Sequence, residues 1–109
     1  MEMWKQFNKE NYGRETIQTG EGFVVFKVFN DGSAYIHIMY VLPSFRRSDV
    51  ATKLEQQIIK EYNVTCLTFY VDLTSDNKEE SMKAILASGY KVDKLFSDKM
   101  TFYKKVANG

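Results

Sequence analysis

Apolar positions in the first half of the chain follow the patterns of β-strands. Two segments rich in Val, Phe and Ile, 23–29 and 34–42, flank Asn30-Asp31-Gly32, a strong hairpin signal. A shorter strand is predicted at 14–19, before glycines at 20 and 22 that offer the positive φ of a tight reversal. The segment 34–42 is apolar on both faces, which predicts a central strand: Tyr35, His37, Met39 and Val41 lie on one face, and Ile36, Ile38 and Tyr40 on the other.

The hydrophobic period changes after Pro43. Apolar residues then recur every four positions, which predicts an amphipathic helix that Ser48 or Asp49 can cap; its face comprises Val50, Ala51, Leu54, Ile58, Ile59 and Tyr62. The segment 64–73 returns to a strand with Leu67, Phe69, Val71 and Leu73 on one face. A strand, a helix and a strand in this order predict a right-handed crossover and a parallel pair.

The remaining segments complete an α/β (α+β) order of β-β-β-α-β-α-β-β. A second helix is predicted to begin near Ser75 or Asp76, to end at Gly89 and to bury Met82, Ile85 and Leu86. Two further strands follow at 90–96 and 100–106. Residues 1–13 show no firm period and predict an arm or a short helix. We therefore expect one domain over 1–109.

Composition narrows the possible functions. The 109 residues include 44% hydrophobic residues, 15 Lys+Arg and 14 Asp+Glu, and no stretch concentrates positive charge, so we expect no nucleic-acid partner. Cys66 is the only cysteine and is expected to be a buried apolar residue, so neither a disulfide nor a cysteine metal site is predicted. Without an apparent signal peptide or membrane span, the protein is predicted to be cytoplasmic, with no membrane partner.

Two segments carry a resemblance to a known family. The run AYIHIMYVLPSFRRSDVATKL, from Ala34 to Leu54, resembles the central strand, the V-x-P-x-[FY]-R turn and the following helix of the GNAT N-acetyltransferases. The run ESMKAILASGY, from Glu80 to Tyr90, resembles the late helix of that family, which typically ends in Gly-Phe or Gly-Tyr. The resemblance covers about residues 20–106. It implies a GNAT-like central mixed sheet that lacks most of the N-terminal helical portion.

The resemblance implies an acyl-CoA co-substrate, acetyl-CoA above all, with its pyrophosphate at the start of the helix after Pro43. The family pattern [RQ]-x-x-G-x-[GA] falls on Arg46, Asp49 and Ala51. The carboxylate of Asp49 replaces a glycine and would repel phosphates, unless neighbouring arginines offset it or it caps its own helix. The implied cofactor-binding residues are Met39, Val41, Arg46, Arg47, Ser48, Asp49, Val50, Ala51, Thr52 and Asn77.

The implied chemistry is direct attack of an amine on the thioester, which needs a base and an acid. His37 lies on the central strand, where the family often carries its base; the alternative is a histidine packed between neighbouring side chains. The position of the family's usual acid, a tyrosine, holds Ile85 here. Tyr40 or Tyr70 could replace it, or both could be ordinary strand tyrosines.

Two functions follow. The first is an acyl-CoA-dependent N-acyltransferase that acts on a small-molecule or protein amine. The second is a non-catalytic GNAT-like binding or assembly module that has lost efficient CoA binding. The short N-terminal portion predicts an open acceptor side or one supplied by a second copy. Exposed strand edges would favour a homodimer.

Overall fold

A computed structural model describes residues 3–46 and 48–106. The predicted order of strands and helices is confirmed, and residues before the first strand form a helix. A 3₁₀ turn at Pro43–Phe45 precedes the second helix. The elements are α1 Met3–Tyr12, β1 Glu15–Gln18, β2 Gly22–Val28, β3 Ser33–Val41, α2 Val50–Tyr62, β4 Cys66–Asp72, α3 Lys78–Ala87, β5 Lys91–Leu95 and β6 Lys99–Lys105.

The six strands form one mixed sheet in the order β1-β2-β3-β4-β6-β5. Strands β1, β2 and β3 pair antiparallel, and so do β4, β6 and β5. The two halves meet in the predicted parallel pair of β3 and β4, which is only four residue pairs long. It runs from Ser33 opposite Cys66 to Ile36 opposite Phe69. Beyond these residues the two strands no longer pair with each other.

A β-bulge explains where this pairing ends. Val25 of β2 lies opposite Ile38 and Phe26 lies opposite Ile36, so His37 is an extra residue of β3. An extra residue reverses the alternation of side chains and bends the strand. The predicted strict alternation of β3 is therefore wrong: Met39 packs against the same core as Ile36, although the alternation assigns them to different faces.

The hydrophobic core lies between one face of the sheet and helices α2 and α3. Leu54 and Ile58 of α2 are fully buried there, while Met82 and Ile85 of α3 are partly buried against the same cluster. Leu86, which was predicted to be buried, is 49% exposed, because the short contact of α3 covers only the row of Met82 and Ile85. Each apolar side chain that is fully buried contributes about 2 kcal/mol to folding. The thinner packing of α3 leaves room beside it.

The turn glycines act in two ways. Gly32 in the hairpin between β2 and β3 has a φ of 88°, and Gly89 after α3 has a φ of 93°, as the sequence predicted. Gly20 and Gly22 lack the positive φ that was expected of them. Gly22 is required for another reason: a Cβ there would lie 2.3 Å from the carbonyl oxygen of Tyr40 on the neighbouring strand.

Helix α1 lies on the opposite face of the sheet from α2 and α3. The ring of Trp4 packs edge-on against Phe23, with 5.3 Å between ring centroids. Phe23 in turn stacks on Tyr40, its register partner on β3. Helix α1 contacts β1 and leaves much of this face uncovered. None of the helices in the described part of the chain is both long and apolar enough for a membrane span.

Candidate functional site

The divergence of β3 and β4 opens a cleft of about 480 Å³. Its walls come from the diverging ends of both strands, from the start of α2 and from α3. The lining residues are His37, Ile38, Met39, Ala51, Glu55, Phe69, Tyr70, Val71, Asp72, Ser75, Asn77, Ser81, Ala84, Ile85, Ser88 and Tyr90. Peptide groups at the edges of a strand gap need partners, so such a cleft suits an extended ligand with amide groups.

The start of α2 lies at this cleft. Asp49 occupies its N-cap position, but its side chain makes no capping hydrogen bond. The carboxylate instead forms an exposed ion pair with Lys53 at 3.5 Å. The predicted side-chain cap is therefore wrong, and the carboxylate leaves the amides that open the helix uncovered. Those amides carry the positive end of the helix dipole and remain suited to an anion.

The backbone conformation at Asp49 needs no glycine. Its φ is −92° and its ψ is 16°, which any residue can adopt. Ala51, two residues later, lines the cleft with only a methyl group. The departure of Asp49 from the family pattern therefore changes charge and not backbone geometry.

Arg46 brings a positive charge to the same turn. Its Nε donates to the carbonyl oxygen of Val41 at 3.0 Å, and its guanidinium lies 5.7 Å from the centroid of the Tyr40 ring. The hydroxyl of Ser48 donates to the carbonyl oxygen of Phe45, a short contact that closes the turn. Arg47, also predicted to bind the cofactor, lies outside the described residues.

His37, at the bulge, lines the cleft within an aromatic cluster. Its ring centroid is 5.0 Å from that of Tyr35 and 6.5 Å from that of Tyr70, and the two tyrosine rings stack at 5.6 Å. Burial lowers the pKa of His37 to about 4, with the positive charges of Arg14 and Lys27 adding to the effect. The imidazole is therefore neutral at pH 7 and available as a hydrogen-bond acceptor.

Of the other predicted residues, some line the cleft and some do not. Tyr70, Met39 and Asn77 line the cleft, as does Ile85 at the position of the usual tyrosine. Tyr40, Val41 and Thr52 are not among the lining residues, and Val50 is buried in the core. Asn77 precedes α3 without a capping bond, and its Oδ1 accepts from the hydroxyl of Ser75.

Sequence reasoning missed a buried polar network in the cleft wall. Glu55 of α2 accepts hydrogen bonds from the hydroxyl of Tyr90 and from Nζ of Lys104, each at 3.0 Å. The Lys104 ammonium also donates to the carbonyl oxygen of Ser88 and lies 4.6 Å from the centroid of the Tyr90 ring. Burial, followed by the charge of Glu55, raises the pKa of Tyr90 well above its usual value. Tyr90 therefore stays protonated and joins α2 to the segment after α3.

The described residues contain no group of three or more His, Cys, Asp or Glu that could hold a metal ion. Cys66, which was expected to be buried, is partly buried, and its thiol lies 3.9 Å from the carbonyl oxygen of Leu67. The polar groups of the cleft are thus hydroxyls, amides, an imidazole and carboxylates.

Solved structures share this fold. The PaiA N-acetyltransferase of Thermoplasma acidophilum, solved in complex with coenzyme A, superposes with a TM-score of 0.63 at 18% identity, over 79% of this chain and 54% of that one. An acetyltransferase of Thermus thermophilus superposes with a TM-score of 0.72 at 11% identity, over 93% of this chain and 70% of that one. Ard1 of Thermoplasma volcanium gives 0.60 at 22% identity, over 80% and 64%. The chain thus spans about half to two thirds of these proteins.

Comparison with curated proteins gave no match. The sequence does match a family model, described as the acetyltransferase (GNAT) family, over residues 20–82. This range includes β2, β3, α2 and β4, which together build both sides of the strand divergence. The chain therefore belongs to the GNAT acetyltransferase family.

Proposed function

We propose that this protein is an acyl-CoA-dependent N-acyltransferase, with acetyl-CoA as the donor and a primary amine as the acceptor, acting in the cytoplasm. The observation that carries the proposal is the cleft between β3 and β4, which opens beside the uncapped amides of α2. In this proposal the pyrophosphate lies on those amides and the pantetheine arm lies between the strands. The acyl group then reaches the aromatic cluster.

Several residues near the start of α2 contribute to the proposed binding of the pyrophosphate. Ala51 leaves space at the cleft, and the guanidinium of Arg46 supplies a charge that favours phosphate. Lys53 holds the carboxylate of Asp49 in an exposed ion pair, which weakens its repulsion of the phosphates. In this proposal the side-chain amide of Asn77, which lines the cleft, donates to the arm.

The proposed transfer uses His37 and Tyr70. The amine nitrogen attacks the thioester carbonyl carbon, a C–N bond forms, and the C–S bond breaks. His37 accepts the proton that the amine loses, directly or through a water molecule, and the hydroxyl of Tyr70 donates a proton to the departing thiolate. Both side chains line the cleft, and their rings are 6.5 Å apart.

Thermal melting with acetyl-CoA tests the proposal. Ligand at a hundred times its dissociation constant adds about 2.7 kcal/mol to the free energy of unfolding. We expect a clear rise in Tm with acetyl-CoA and a smaller one with fragments of it that lack the pyrophosphate. No rise at millimolar acetyl-CoA would overturn the proposal.

The variants Asp49→Asn and Asp49→Gly test the position of the pyrophosphate. Both remove the charge, and because the backbone at Asp49 needs no glycine, we expect both to lower the Kd of acetyl-CoA to a similar extent. Asp93→Asn, on β5, is the matched control and should leave the Kd unchanged. An unchanged Kd in both Asp49 variants would place the phosphates elsewhere.

The alternative is a non-catalytic GNAT-like binding or assembly module that has lost efficient CoA binding. Ile85 in place of the usual tyrosine favours it, since the cleft then lacks that acid on α3. No rise in Tm at millimolar acetyl-CoA, together with no release of CoA in the presence of any amine from a broad panel, would support the module over the enzyme.

A further inference from the structure

Residues from both faces of the sheet line the cleft. Met39 and Phe69 reach it from the face that carries α2 and α3, whereas His37 and Tyr70 reach it from the opposite face. The register places Tyr35 beside Lys27 of β2 and Thr68 of β4 on that opposite face, which we call the open face. If the donor binds between the helices and the strands, an acceptor can approach from the open face.

Cations surround this opening. Nζ of Lys99 lies 6.0 Å from the centroid of the Tyr70 ring, and Lys27 is the register partner of Tyr35. Arg14 lies close enough to help lower the pKa of His37. Among residues 3–46 and 48–106, no carboxylate forms a salt bridge with any of these three cations.

The carboxylates near the opening form their hydrogen bonds with groups other than these three cations. Asp72, the register partner of Lys99, accepts hydrogen bonds at Oδ1 from the backbone N–H and the hydroxyl of Thr74, and these bonds lower its pKa. Glu55, deeper in the cleft, is held by Tyr90 and Lys104. On the open face, the cationic groups of Arg14, Lys27 and Lys99 lie over the rings of Tyr12, Phe29 and Phe96. None of them forms a salt bridge with a carboxylate of the described residues, so this positive charge is available to an acidic ligand, although the whole chain has a net charge of only +1.

The open face is broad and does not enclose a small molecule. Large side chains around the opening stay accessible: Ile38 is 48% exposed, Tyr40 is 39% exposed and Tyr70 is 37% exposed. A small ligand is normally surrounded on most of its surface, whereas an extended polypeptide can cover a flat row of rings. Aromatic rings flanked by cations also match the hydrogen-bonding and charge of an acidic peptide.

We propose that the acceptor amine belongs to an acidic polypeptide segment, which lies across the open face with its carboxylates on Lys27 and Lys99. This inference rests on the proposed function and adds the class of acceptor to it. The aromatic cluster of Tyr35, His37 and Tyr70 would then receive the amine between the two cationic borders.

Matched peptides test the charge preference. Three fluorescent peptides carry one central lysine flanked on both sides by two glutamates, two glutamines or two arginines. Fluorescence anisotropy in the presence of CoA measures their binding, and release of CoA from acetyl-CoA measures transfer. We expect the acidic peptide to bind and react best, with an advantage that shrinks between about 0.05 and 0.5 M NaCl because salt screens exposed charges.

Two double variants of the full chain locate the preference. Lys27→Gln with Lys99→Gln should weaken binding of the acidic peptide roughly three- to tenfold and leave the glutamine peptide unaffected. Lys60→Gln with Lys83→Gln removes the same number of exposed charges from α2 and α3. This double variant should change the binding of neither the acidic peptide nor the glutamine peptide. Equal binding of the acidic and glutamine peptides, or an equal loss in both double variants, would overturn the inference.

Two further measurements separate the possible failures. The Kd of acetyl-CoA should be unchanged in both double variants. Failure of the natural chain to bind acetyl-CoA would remove the proposed function. The anisotropy measurement would still test whether the open face binds acidic peptides. Phosphoethanolamine and ethanolamine serve as small amines. Faster transfer to phosphoethanolamine than to the acidic peptide would show that the acceptor is a small anionic amine and not a polypeptide.

Discussion

His37 is the residue whose chemistry depends most on its surroundings. Its pKa of about 4 means that it stays neutral in the folded protein at pH values where the unfolded chain, with an ordinary pKa near 6.5, binds a proton. The unfolded state therefore binds more protons between these values, and stability falls as the pH is lowered from about 6.5 to about 4. The same shift keeps the ring unprotonated throughout this range, and it makes the imidazole a weaker base than an ordinary histidine.

The variant His37→Gln should separate the two effects. We expect it to lose turnover while keeping the Kd of acetyl-CoA, and to lose less stability than the natural protein when urea unfolding is repeated from pH 6.5 down to pH 4. Parallel loss of stability in both proteins would show that other groups set the pH dependence. Full turnover would remove His37 from the mechanism.

Tyr70 and Tyr40 form a natural pair of test and control. Both are partly exposed tyrosines, but only Tyr70 lines the cleft, while Tyr40 stacks on Phe23 and contacts Arg46. Loss of a positioned acid typically slows a reaction by a factor of about 100 or more. We expect Tyr70→Phe to lower kcat by such a factor and Tyr40→Phe to leave kcat nearly unchanged. Equal effects would show that neither hydroxyl is the acid.

Glu55 connects helix α2 to the second half of the sheet through its hydrogen bonds with Tyr90 and Lys104. The variant Glu55→Gln leaves the partly buried ammonium of Lys104 without its counter-charge and weakens the hydrogen bond from Tyr90. Removing one partner of a buried pair costs about 3 kcal/mol, and here somewhat less because Lys104 is partly exposed. We expect a lower midpoint of urea unfolding with an unchanged m-value.

Glu61→Gln is the control for this measurement. Glu61 lies in the last turn of the same helix and is exposed, so its replacement should change the midpoint very little. A small effect of Glu55→Gln, similar to that of Glu61→Gln, would show that the network adds little to stability. A lower m-value would indicate a change in the extent of folding and not in the ion pair.

The elements and their order could be predicted because the periods of the apolar residues change clearly, from alternation before Pro43 to every fourth residue after it. The bulge at His37 could not be predicted, because one extra residue in an apolar strand does not change the composition of the strand. Nor could the role of Glu55, because a single glutamate in an amphipathic helix is typical of a solvated position. Its partners lie 35 and 49 residues away in the sequence.

The turn before α2 could be predicted because a local motif defines it. The turn at Arg46, Asp49 and Ala51 follows directly from the spacing of the family motif, and the structure adds that the Asp49 carboxylate is paired with Lys53. The charge of the open face was not visible, because Arg14, Lys27 and Lys99 are far apart in the chain. Strand pairing alone brings them to one opening.

The molecule as a whole consists of two three-stranded halves joined by a short parallel ladder. Acetyl-CoA bound between β3 and β4 would touch both halves, so we expect it to slow amide hydrogen exchange in β3 and in β4 and α3 alike. Hydrogen-exchange mass spectrometry with and without acetyl-CoA checks this expectation. Protection confined to one half would contradict binding in the cleft.

The short parallel ladder between the two halves also affects how the protein can self-associate. Helix α2 contacts β1, β2 and β3, while α3 contacts β4, so each half carries its own helix, and the chain passes between them only at the segment 63–65. If the segment 63–65 became extended, two molecules could exchange their carboxyl-terminal portions. Each portion would then form its native contacts with the strands of the partner molecule. Refolding at high concentration should therefore yield interlocked pairs that come apart only through unfolding.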